Sequence, residues 1–105
     1  MTDERNVLCV ANAYQKKYYL SSQFEVLPKE VKDELKIMCV LYTEEMGGIL
    51  SLVYNEQGEL CFQVTANEDD FMFDEIGSGL KIREMQRTKQ ELLQSLQLYY
   101  KVTMG

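Results

Sequence analysis

Histidine is absent from this chain of 105 residues, and with it goes every mechanism that needs imidazole as base, proton shuttle or metal ligand. Cysteine is scarce. Cys9, Cys39 and Cys61 are odd in number, widely spaced and set in apolar context, which predicts three reduced, mostly buried thiols rather than a disulfide framework. Structural zinc takes four ligands, and three isolated cysteines without histidine do not supply them. No apolar run approaches about 18 residues, and the opening MTDERN leads only into a short apolar stretch, Val7 to Ala11, without a signal-peptide layout. The expectation is therefore no membrane partner and a cytoplasmic location. Linkers, repeats and low-complexity tracts are also missing, so the chain reads as a single domain over 1–105 with residues 1–6 disordered.

Positive charge is absent from the middle. Between Ile37 and Leu80 there is no Lys or Arg, while Glu44, Glu45, Glu56, Glu59, Glu68, Asp69, Asp70, Asp74 and Glu75 all fall there. The flanks carry all 11 basic residues, within a net charge of -6. A surface built from the middle would repel nucleic-acid phosphates and attract cations or a basic protein partner, so no nucleic-acid binding is expected.

The clearest structural signal is Gly47 to Ala66. Asn55-Glu56-Gln57-Gly58 separates two runs rich in β-branched and aromatic residues, the pattern of an antiparallel hairpin over about 48–66. Gly58 supplies the positive φ of the turn. Leu60, Phe62 and Val64 alternate with Cys61, Gln63 and Thr65, so one face of the second strand is apolar. A lone hairpin is marginal in water, and helices on either side must cover that face.

Upstream, Val7 to Leu20 fits either a helical stripe or two short strands joined at Asn12-Ala13, and the strand reading extends the sheet. Leu27-Pro28-Lys29-Glu30 marks a helix start and Gly47 a stop, predicting a helix over about 28–46 with Val31, Leu35, Met38 and Tyr42 on its inner stripe. The six apolar residues Ile37 to Tyr42 also suit a buried strand paired across Gly47-Gly48, and periodicity alone does not separate the two. Downstream, Ile82, Met85, Lys89, Leu92, Leu96 and Tyr99 step by three and four, predicting one long C-terminal helix over about 74–100 with its start capped by Asp70 or Asp74. Such a helix is on the order of 39 Å long, and a hairpin strand spans only about 17–24 Å. The overhang nominates Leu96, Tyr99 and Tyr100 as a partner-binding stripe and the C-terminal helix as a homodimer seam. The fold class is α+β: a small antiparallel sheet packed against two helices.

At ELKIMCVLYTEEMGG, the NEQGEL turn, and DEIGSGLKI leading to LQLYYKV, the chain resembles a family of small uncharacterised bacterial proteins. The resemblance implies no activity, substrate, cofactor or site.

Among chemistry-bearing clusters, Glu68 to Glu75 is the most acidic. Asp70, Asp74 and Glu75 are the candidate ligands for a divalent cation, since Asp70 and Asp74 share a face if the segment is helical. The spacing lacks the alternate-residue ligands of an EF-hand, and acids at a helix start have an ordinary electrostatic reason. Gly77-Ser78-Gly79 lacks the remaining residues of a phosphate-binding loop, and acids precede it. No catalytic residue and no cofactor is assigned. Three functions fit: a non-catalytic interaction or regulatory protein with an acidic surface, an acidic inhibitor of a basic enzyme or nucleic-acid-binding protein, and a carboxylate-based metal-dependent enzyme.

Overall fold

Alternation, turn chemistry and capping place the local elements, and the computed structural model, which describes residues 6–103, assembles them around one antiparallel sheet. Strands β1 (Val7–Asn12) and β2 (Lys17–Leu20) form the first hairpin, and β3 (Ile49–Tyr54) and β4 (Leu60–Thr65) the second. Helix α1 (Lys29–Met46) connects them, and α2 (Glu75–Thr88) and α3 (Gln90–Thr103) follow. The sheet order is β2-β1-β3-β4, so the two hairpins meet along β1 and β3. Both N-terminal strands are present, and the anticipated disorder at residues 1–5 lies outside the described residues. Asn6 is tied down, because its side-chain carbonyl accepts a 3.3 Å hydrogen bond from the Tyr100 hydroxyl.

Register decides which side chains form the core. Directly opposed residues point to the same face, so Cys9, Leu52 and Phe62 share one side with Ala11, Leu50, Val64, Tyr54 and Leu60. That side is buried under the helices. The other side carries Tyr19, Val10, Ser51 and Gln63 in one row, with Tyr19 and Gln63 exposed. A register shift between Val7 and Cys9 puts an extra residue into β1, and Leu8 and Cys9 are consecutively buried there.

Helix α1 takes up the whole of Ile37 to Tyr42. Met38, Cys39 and Tyr42 face inward while Ile37 and Leu41 are exposed, a three-to-four spacing that a strand does not produce. Gly47 closes the helix at φ 77°, its N–H bonded to the Thr43 carbonyl at 2.8 Å.

The expected helix over 74–100 is divided. Lys89, at φ -110° and ψ 27°, separates α2 from α3, although its N–H still reaches Met85 and its carbonyl still accepts from Leu93. Two segments of 14 residues are each about 21 Å long, close to a six-residue strand at about 20 Å. The hydrogen bonds on either side of Lys89 keep the helical i to i-4 pattern, so the division is local. Leu92 and Leu96 reach the core beside Met85, and the stripe expected to face a second chain covers this chain's own sheet. No helix among the described residues is long and apolar enough to cross a membrane.

Candidate functional site

Two clusters with chemical potential emerge, one in the core and one at the surface. In the core, the Cys9 and Cys39 sulfurs lie 3.8 Å apart and both residues are fully buried. The contact with Cys9 and the burial both push the Cys39 thiol up from its ordinary value. A thiol held protonated is neither nucleophile nor metal ligand at neutral pH. The Tyr18 hydroxyl is buried without a hydrogen-bond partner among the described residues, and burial first, then the neighbouring cysteines, raise its pKa. This group packs the core between β1 and α1.

The surface cluster is the acidic segment after β4. Asp70 orders it. One carboxylate oxygen accepts the Met72 N–H at 3.2 Å and the other accepts the Tyr14 hydroxyl at 2.5 Å. Tyr14 in turn accepts the Asn67 N–H at 3.1 Å, so the β1–β2 turn clamps a loop more than 50 residues away. The hydrogen bond to Asp70, more than burial, raises the Tyr14 pKa. Asp74 is the N-cap of α2, accepting the Gly77 N–H at 3.0 Å. A Cβ on Gly77 would stand 2.5 Å from that carboxylate, which explains a glycine inside the first turn. Ser78, next to it, is buried and shares a hydrogen bond with the Tyr42 hydroxyl, locking α2 onto α1.

The three cation candidates are thus kept apart. Asp70 belongs to the loop, Asp74 to the cap, and Glu75 to the exposed first residue of α2, so the shared helical face expected of Asp70 and Asp74 does not form. Among the described residues no three Cys, Asp or Glu side chains converge closely enough to hold a metal ion. Asp70 and Glu75 instead line, with Glu68 and Ser78, a shallow hollow of about 480 Å³.

The partner-binding candidates on α3 are also reassigned. Leu96 is 1% exposed and its carbonyl accepts the Tyr54 hydroxyl at 2.9 Å. Tyr100 stacks on Tyr54 with ring centroids 4.0 Å apart, and Tyr99 packs against Phe24. Both tyrosines are half-buried against the core.

Sequence reasoning missed the apolar residues set among the acids. Phe71 is 90% exposed, Met72 91% and Ile76 80%, with Leu80 exposed one turn further along α2. Phe73, between them, turns inward: a Cβ on Gly48 would meet its ring at 2.8 Å. The legible signal was that Ile76 and Leu80 lie four apart and off the Ile82–Met85 seam. Lys81, the nearest cation in sequence, is engaged by Glu45 at 3.0 Å and Glu84 at 3.8 Å. Acids flank the apolar residues, and the exposed Arg83 lies one turn beyond Leu80 on the same face of α2.

By architecture the molecule is an α+β protein, with a four-stranded antiparallel sheet and three α-helices among the described residues. The chain belongs to a family of unknown function, DUF6145, whose sequence model matches residues 5–105. No curated protein and no solved structure matches it.

Proposed function

We propose that this protein is a non-catalytic interaction or regulatory domain that docks a basic protein on the acid-flanked apolar surface at the start of α2. The observation that carries the reading is the exposure of Phe71, Met72 and Ile76 beside Asp69, Asp74 and Glu75. Large apolar side chains left in water are worth roughly 1.5–3 kcal/mol each when a partner covers them. The carboxylates around them select the partner, since opposite charge steers encounter and like charge suppresses wrong pairings. An inhibitor of a basic enzyme would use the same surface. Nucleic acid would be repelled by it. Three unpaired thiols suit a reducing, cytoplasmic compartment.

The test is capture from a lysate of the native host by the wild-type protein, by Phe71→Ser/Met72→Ser and by Asp69→Lys/Glu75→Lys, with Leu98→Ser as surface control. The expected result is one basic protein retained by wild type and control and lost from both patch variants. Equal capture by all four proteins would remove the reading.

A further inference from the structure

Most lysines of α1 and α2 have carboxylate partners. Lys29 meets Asp33 at 3.2 Å, Lys32 meets Glu25 at 3.5 Å, Lys81 meets Glu45 at 3.0 Å and Lys89 meets Glu34 at 3.6 Å. Lys16, Lys17 and Lys36 have no such partner among the described residues, and all three line one hollow of about 680 Å³ between the β1–β2 turn and α1. In a chain with an excess of acids, only Glu44 lines the same hollow with the opposite charge. Lys17, opposite Asn12 and two residues before Tyr19, carries its side chain on the other face of the sheet, so Lys16 and Lys36 are the cations of the hollow, and an anion entering it relieves the repulsion between them.

The frame around them is built. Asn12 uses its side-chain oxygen to hold the turn, accepting the Tyr14 N–H at 2.9 Å and the Gln15 N–H at 3.2 Å. Its amide NH₂ is left as a further donor. Lys16, which follows, sits in the left-handed region at φ 54°, where a non-glycine residue is uncommon. On the opposite wall Lys36 and Val40 are four apart on α1 and share a flank. The Tyr18 residue completes the lining with apolar surface.

We infer that this hollow binds a small phosphorylated molecule through Lys16 and Lys36. The volume lies within the range of about 300–1,000 Å³ typical of small-molecule sites. Lysine is a compact point charge suited to phosphate oxygens, whereas the planar fork that matches carboxylates belongs to arginine, which is absent from the lining. Val40 and Tyr18 offer the organic part of the ligand an apolar wall, and Glu44 can accept from a ligand hydroxyl. This site is independent of the docking surface at α2, and neither stands or falls with the other.

Calorimetric titration with inorganic pyrophosphate tests it, with citrate as the carboxylate counterpart. Pyrophosphate is expected to bind once per chain with a Kd below about 1 mM in moderate salt. Lys36→Gln and, independently, Lys16→Gln should each weaken it by about tenfold or more, the effect of losing one charge-assisted contact. Glu44→Gln should tighten it, and Lys101→Gln, outside the hollow, should leave it unchanged. Amide chemical shifts followed in the same titration should move at Ala13 to Tyr18 and around Lys36. Silence with pyrophosphate at about 10 mM, citrate binding as tightly as pyrophosphate, or equal losses in Lys101→Gln would each overturn the assignment.

Discussion

The Tyr54 hydroxyl donates a 2.9 Å hydrogen bond to the backbone carbonyl of Leu96, joining the last residue of β3 to the middle of α3 across 42 positions of sequence. The Tyr54 ring lies between Phe24 at 5.8 Å and Tyr100 at 4.0 Å. One residue thereby fastens the 3₁₀ turn at Ser22–Phe24, the sheet and the C-terminal helix together. Leu96 of the C-terminal stripe is thus a core residue, with Tyr99 and Tyr100 half-buried beside it.

Leu96 should therefore behave as a core residue. Leu96→Ala is expected to cost about 2–5 kcal/mol in urea unfolding, and Tyr54→Phe about 1 kcal/mol. Leu96→Glu should fail to fold, because a carboxylate at a position 1% exposed has no partner. A folded, stable Leu96→Glu protein would show that α3 does not pack as described.

The clamp between Tyr14 and Asp70 should hold a loop rather than the whole molecule. Tyr14→Phe removes the 2.5 Å bond to Asp70 and the 3.1 Å bond from the Asn67 amide. Hydrogen exchange is expected to quicken at Asn67 and Met72 while the thermal midpoint stays in place, since both groups lie at the surface. A large fall in the midpoint would contradict this division.

Alkaline pH should unfold the protein through its tyrosines. Burial raises Tyr18, Tyr54 and Tyr42 above 10.0, and the bond to Asp70 raises Tyr14. Below about pH 10 the folded and unfolded chains both keep these protons, so the stabilisation is complete. As pH rises further the unfolded chain releases them first, and the contribution is lost on passing through the raised folded values. Tyrosinate absorbance at Tyr18, Tyr42 and Tyr54 should appear together with loss of helical circular dichroism, whereas Tyr14, at the surface, ionises without it. Full ionisation of all seven tyrosines close to pH 10 with the dichroism intact would refute it.

The thiols should react in a fixed order. Cys61 is partly exposed on β4, whereas Cys9 and Cys39 are buried. A thiol reagent is expected to label Cys61 alone in the native protein and to reach the other two only after denaturant is added, because burial and a raised Cys39 pKa suppress the thiolate. Native labelling of Cys39 at a rate matching Cys61 would overturn the packed-core assignment.

What the sequence determined by itself is local. The turn at Asn55–Gly58 was legible because Asn55 bonds the Gln57 and Glu59 amides within four residues and Gly58 takes φ 79°. The apolar alternation of β4, the start of α1 beside Pro28 and its stop at Gly47 follow from equally short-range chemistry. Tertiary structure alone settled Ile37 to Tyr42 as helix, since six apolar residues satisfy either period until a sheet and a second helix take opposite flanks of them. It also placed the break at Lys89, where the i to i+3 and i+4 pattern continues undisturbed in sequence. On either side of it Met85, Leu92 and Leu96 all reach the core. Neither the exposure of Phe71 and Met72 nor the meeting of Lys16 with Lys36 has a local cause, because solvent contact and convergence are properties of surfaces built from segments far apart in the chain.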